Sequence, residues 1–194
     1  IVEGKSKQQY IKGIFMQSDI QNQNGRIYPY SVLKKQVSAF NEKFVKQDRA
    51  LGELGHPAGP SVNLDRVSHI ITELNEDGKN FIGKAKIIDT PNGKIVKNLL
   101  ESGVRLGVSS RGLGSVKTNK SGVNEVQDDF VLSTVDIVSD PSAPDAFVNG
   151  IMEGREFSLT GELEYAIQKE IKNTVKARLE EKKVELFTRF MGGL

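Results

Sequence analysis

Two adjacent serines, an arginine and three glycines stand together in GVSSRGLGS, residues 107 to 115. A serine in that setting can be a nucleophile, because small neighbours leave its oxygen open and glycines let backbone N–H groups turn toward a developing negative charge. The segment is not a Gly-x-Ser-x-Gly elbow, and taken alone it equally describes a strand end with solvated hydroxyls. Its partners must decide. The chain has two histidines. His56 is followed by Pro57, which biases it away from helix and toward a strand end or loop edge. His69 falls inside an alternating strand, the more usual place for a structural histidine. Asp136 interrupts FVLSTVDIVSD (130 to 140). A carboxylate there must face solvent or be paired, since unpaired burial costs roughly several kcal/mol. His56, Ser109 and Asp136 thus form a histidine, serine and acid set in chain order. Glu53, His56, Asp65 and His69 match no metal-ligand spacing, and no metal or cofactor is expected.

These residues must be held by the elements around them. YIKGIFMQSDIQ (10 to 21) reads as a strand, Asn24-Gly25 as a turn, and the segment from Ser31, as N-cap, to about residue 47 as a helix with Val32, Leu33, Gln36, Val37, Phe40 and Phe44 on one face. A short strand then leads into His56 and a Gly/Pro-rich loop. Residues 66 to 75 and 81 to 88 are strands joined by the turn Asp77-Gly78-Lys79-Asn80. Thr90-Pro91-Asn92-Gly93 reads as a further turn, followed by a helix over 94 to 103 stopped by Gly103. After the serine strand come a hairpin around Lys120-Ser121-Gly122 and the β-rich run with Asp136, ending in PSAPDA (141 to 146). The predicted fold is α+β: a β-rich, barrel-like single domain with flanking helices over 1 to 150. From 151 to 194 the spacing of Leu163, Ile167, Ile171, Val175 and Leu179 predicts a helical appendage.

Composition narrows the function classes. Lys+Arg 27 against Asp+Glu 25 leaves a net charge of +2, no strong field for nucleic acid or membrane, and aromatics at 7% supply no stacking platform. The absence of cysteine excludes disulfides, thiolate metal sites and a cysteine nucleophile, so a nucleophile must be oxygen or lysine. No apolar run reaches the length of a membrane span, IVEGKSKQQ has no signal-peptide h-region, and the chain reads as soluble and intracellular. Beginning with isoleucine, it reads as a fragment or a processed product.

NGRIYP (24 to 29), LGELGHP (51 to 57), GVSSRGLGS (107 to 115) and SDPSAPDA (139 to 146), in this order and at these separations, resemble the prohead proteases of contractile-tailed bacteriophages, similar in fold to the herpesvirus assemblins. The resemblance covers about residues 10 to 150. It implies a serine endopeptidase of virion maturation, with His56 as general base and Ser109 as nucleophile. Asp136 lies where the third triad member is expected, although assemblins use a second histidine there. Oxyanion donors fall either around Arg111-Gly112 or in the Ser142-Ala143 turn, and Arg111 is alternatively a structural or substrate-positioning charge. Ser110 points to the opposite strand face from Ser109.

The same resemblance implies cleavage after glutamate in aliphatic-x-Glu motifs of scaffold, core and major capsid proteins, inside the prohead in the bacterial cytoplasm. Ile1-Val2-Glu3 and Ile151-Met152-Glu153 carry that pattern, so Glu3 and Glu153 are candidate self-cleavage positions, the latter in a segment expected to be exposed and loose. Cutting there removes the helical tail, whose other expected use is self-association. A glutamate pocket needs a basic partner, for which Arg26, Arg105 and Arg111 are candidates. The alternative function is a non-catalytic capsid core or scaffold protein of the same fold.

Overall fold

A computed structural model of the chain describes residues 8–150 and the backbone of 151–152 and 155–156. In chain order the elements are β1 (Gln9–Gln17), β2 (Arg26–Ile27), α1 (Tyr30–Lys43), β3 (Leu51–Glu53), β4 (Val67–Asp77), β5 (Asn80–Ile87), α2 (Pro91–Glu101), β6 (Leu106–Leu113), β7 (Val116–Thr118), β8 (Asn124–Val126), β9 (Val131–Val138), β10 (Phe147–Met152) and β11 (Arg155–Glu156). Seven strands form one antiparallel path, β3-β4-β5-β1-β10-β6-β9, with β11 beside β10; β2, β8 and β7 make a separate small sheet.

Residue alternation builds this sheet. In β5, Phe81, Gly83, Ala85 and Ile87 are buried while the residues between them are half-buried, the period of two expected of a strand with one face on the core. Ile11, Phe15, Ile71, Leu74, Val108, Val135, Ile137 and Val148 join them in one apolar cluster, which α1 enters through Val32, Leu33, Val37 and Phe40. Helix α1 packs on β4 and β9, and α2 on β4 and β5.

The last strand of the path returns to the first, giving a nearly closed barrel. Leu54 bridges Ile137 in parallel, and the Gly55 N–H donates to the Ile137 carbonyl at 2.8 Å. The Thr134 hydroxyl donates to the Leu51 carbonyl at 2.7 Å. His69, fully buried, reaches from β4 to place Nε2 2.9 Å from the Val135 carbonyl, with Nδ1 2.9 Å from Ser68 Oγ. A nitrogen facing a carbonyl must carry the proton, so the ring is the neutral Nε2–H tautomer and accepts from Ser68 at Nδ1. Gly52 makes the crossing possible: a Cβ there would stand 2.2 Å from His69 Nε2 and 2.5 Å from the Val135 carbonyl.

Several boundaries differ from the expected ones for local reasons. The first strand stops at Gln17, and two residues later Asp19 takes a left-handed conformation (φ 55°). Helix α1 is capped at Pro29 rather than Ser31, which lies in its first turn, and the Tyr30 N–H is satisfied by Asp19 Oδ1 at 3.1 Å. The helix ends at Lys43, and residues Val45–Gln47 form a tighter 3-10 turn. Thr90-Pro91-Asn92-Gly93 is not a separate turn but the start of α2: Thr90 Oγ1 accepts the Gly93 N–H at 3.0 Å and Pro91 occupies the first turn, where its missing N–H is harmless. Strand β10 was not expected. It lies between β1 and β6 and runs across residue 150 to Met152, with Ile151 opposite Tyr10 and Met152 opposite Gln9. The segment before Glu153 is therefore paired in the sheet rather than loose. Glu3, Glu153 and the helical tail from 157 onward lie outside the described residues.

Candidate active site

The sequence-predicted His56 and Asp136 meet at the seam between β3 and β9. Past the end of β3, Gly55 adopts φ +84°, a left-handed conformation open to glycine, and turns the chain so that His56 emerges beside the seam. The His56 side chain is 42% exposed, and its Nδ1 lies 3.2 Å from Oδ2 of Asp136, which is wholly buried. Asp136 stands directly opposite Ser109 in the β6–β9 pairing, and Ser110 opposite Val135. Residues directly opposite project to the same face, so Ser109 and Asp136 share a face that Ser110 does not. Ser109 Oγ is 3.0 Å from Ser142 Oγ.

Arg111 lies on the same face two residues beyond Ser109, and its guanidinium points inward, 4% exposed. Nε donates to Asp136 Oδ2 at 2.8 Å, one Nη to Asp136 Oδ1 at 3.1 Å and to Glu53 Oε1 at 2.9 Å, and the other Nη to the carbonyls of Gly59 at 3.1 Å and Ser61 at 2.9 Å. Those bonds use all five guanidinium protons. The arginine thus ties the loop after His56 to the aspartate behind it. Burial pulls its pKa down, but the hydrogen bonds and charges of Glu53 and Asp136 outweigh this and raise it. As a side chain Arg111 has no donor left for a substrate or an oxyanion, which corrects its candidacy for those tasks in favour of the structural alternative.

Glu53 completes the cluster. Also wholly buried, it accepts the Asn63 N–H on Oε1 at 2.8 Å, while Oε2 lies 3.4 Å from Arg66 Nε, an ion-pair distance without hydrogen-bond geometry. The Glu53 backbone N–H donates to Asp136 Oδ1 at 3.1 Å, so the aspartate side chain replaces a ladder carbonyl in closing the barrel. Sequence reasoning missed Glu53 as a site residue. The signal was present: a carboxylate in ALGEL (50 to 54) poses the same burial problem as Asp136.

A cleft of about 710 Å³ is lined by residues that include His56, Ser109, Gly112 and Ser142, together with Arg26, Tyr28 and Asp140. The Ser142 turn is anchored on both sides: its carbonyl accepts the Gln23 N–H at 2.9 Å, and Gln17 exchanges two hydrogen bonds with Asp145. Among the described residues, the N–H groups of Ser142 and Ala143 have no hydrogen-bond acceptor. The structure thus gathers His56, Ser109, Asp136, Gly112 and the Ser142-Ala143 turn in one place. Of the three arginines considered for a glutamate pocket, Arg26 and Arg111 both line the cleft, Arg111 with its guanidinium 4% exposed and committed to Asp136 and Glu53, and Arg105 lies over the Phe147 ring at 4.3 Å.

Known proteins are similar to this chain in sequence and in fold. A relative described as prohead core protein protease, from Enterobacteria phage T4, is 40% identical over 143 residues, 72% of this chain and 67% of the relative. The solved structure of the bacteriophage T4 capsid assembly protease superposes with a TM-score of 0.64 at 35% identity, covering 68% of this chain and 82% of that one. The family profile described as prohead core protein serine protease matches residues 3–156, the stretch that builds the barrel and its seam, and the chain belongs to that family.

Proposed function

We propose that this chain is a serine endopeptidase that cleaves scaffold, core and capsid proteins after glutamate in aliphatic-x-Glu motifs while the phage prohead matures. The family membership supports a capsid maturation protease. For the serine mechanism, the observation that carries the reading is the approach of His56 Nδ1 to the buried Asp136 carboxylate at 3.2 Å in the cleft that Ser109 lines. With Nδ1 turned to the aspartate, Nε2 is left for the serine. Ser109 exchanges its Ser142 hydrogen bond for His56, attacks the scissile carbonyl, and passes its proton to Nε2. Asp136 holds the tautomer and stabilises the imidazolium, and His56 then delivers the proton to the leaving amine.

The N–H groups of Ser142 and Ala143 are the oxyanion donors favoured here, since the turn adjoins Ser109 and these groups lack other partners among the described residues. Such a donor is worth about 3 kcal/mol. The glutamate side chain of the substrate pairs with Arg26, the cation of the cleft wall whose guanidinium is not committed to a buried carboxylate. Self-cleavage after Glu3 and Glu153, releasing the tail, belongs to the same proposal.

The test is cleavage of peptides that carry Ile-x-Glu or Ile-x-Gln, together with labelling by a fluorophosphonate and mapping of the modified residue by mass. Cutting after Glu, sparing of Gln and modification of Ser109 are expected. A chain that neither cuts a scaffold protein nor takes the label at Ser109 is not this enzyme.

A further inference from the structure

Asp136 cannot be treated as a free carboxylate behind His56. Arg111 holds both of its oxygens, at 2.8 and 3.1 Å, closer than the 3.2 Å to His56 Nδ1. An aspartate so engaged is largely neutralised, and a dipole stabilises an imidazolium far less than a charge does. Glu53 changes the sum: two buried carboxylates share one buried guanidinium, a net charge of −1 among the buried groups that the exposed Arg66, 3.4 Å from Glu53 Oε2, offsets from the rim. Glu53 is costly to keep there, because Oε2 is buried without a hydrogen bond. Burial of that kind is stable only while the guanidinium is present.

We propose that Glu53 is a positioning residue of the active site, acting through Arg111 to keep the Asp136 carboxylate electrostatically available to His56. It accepts from the same Nη of Arg111 that donates to Asp136 Oδ1, and its negative charge offsets the arginine. The inference rests on the serine-protease reading of the site. The other charged or titratable groups around His56 are Arg66 at the rim of the cluster, Arg26, Tyr28 and Asp140 in the cleft, and the neutral, buried His69. Of these, Arg66 opposes Glu53 directly, so the two should act with opposite sign.

The experiment compares wild type with Glu53→Gln and Arg66→Gln on an Ile-x-Glu peptide across pH. Glutamine keeps an acceptor for Arg111 and Asn63 but not the charge. In Glu53→Gln the acid limb of kcat/KM should move about half a unit to lower pH, and plateau kcat should fall about tenfold. In Arg66→Gln the limb should move the other way, by less. A role confined to packing lowers melting temperature and activity without moving the limb, and an unmoved limb in a folded Glu53→Gln protein overturns the proposal. Should that variant not fold, an unmoved limb in Arg66→Gln, an exposed position, overturns it equally. The chain has two histidines, so ring signals of His56 can be followed by NMR alongside. If wild type cuts nothing, the protease reading fails by itself, and the relative displacement of the His56 titration between variants still decides whether Glu53 acts on it.

Discussion

His69 and Asp136 are both wholly buried at the seam, and burial has opposite consequences for them. Asp136 is compensated by Arg111 and stays ionic, whereas His69 has neutral partners and stays uncharged, its pKa pushed by burial from 6.5 down to about 4. Because the folded value is the lower one, the unfolded chain takes up a proton first as pH falls. The stabilisation by His69 is thus complete above pH 6.5 and disappears as pH drops toward 4, a loss of about 3 kcal/mol. Urea midpoints of wild type should decline over that window, and those of His69→Gln should decline less. Parallel decline of the two would contradict the assignment of a neutral seam histidine. Such distinctions were partly legible in the residues. The cost of burying Asp136 already required a partner. That the partner is Arg111, and that its five protons are all spent, depends on the carbonyls of Gly59 and Ser61, residues of a loop whose path no local pattern specifies.

At the scale of elements, hairpins were readable where a glycine had to take a positive φ: Gly78 between β4 and β5, and Gly122 between β7 and β8. Strand β10 was not readable. Its six residues, FVNGIM, include an Asn-Gly pair that locally signals a turn, and what makes them a strand is pairing with β1, more than a hundred residues away. This strand bears on self-processing. A scissile segment must leave its own ladder to enter a cleft, yet Ile151 and Met152 are paired with Tyr10 and Gln9, and β11 pairs with β10 on the far side of Glu153. Cleavage after Glu153 in the folded chain should therefore be slower, by roughly tenfold or more, than in a free peptide of the same sequence, because local opening of even about 1.4 kcal/mol is required. A mass-spectrometric time course with both substrates in one tube measures the ratio. Equal rates would mean that the end of β10 is not held as described.

For the whole molecule, the contacts that close the barrel and those that gather the candidate site share residues. The strands that meet at the seam, β3 and β9, are the first and last of the sheet path, and they meet through Asp136, Thr134, His69 and the Glu53 N–H as much as through a backbone ladder. The aspartate that accepts from Glu53 to close the barrel is the one that lies against His56. Ser109 enters from β6, set by register against Asp136. We propose that this register selects Ser109, not its neighbour, as the nucleophile. It is tested most directly by following cleavage of a scaffold protein or an Ile-x-Glu peptide by mass spectrometry with Ser109→Ala and Ser110→Ala beside wild type. Loss of cutting by at least about a thousandfold in Ser109→Ala, with Ser110→Ala still active, is the expected result. Cutting that survives in Ser109→Ala and vanishes in Ser110→Ala would contradict it.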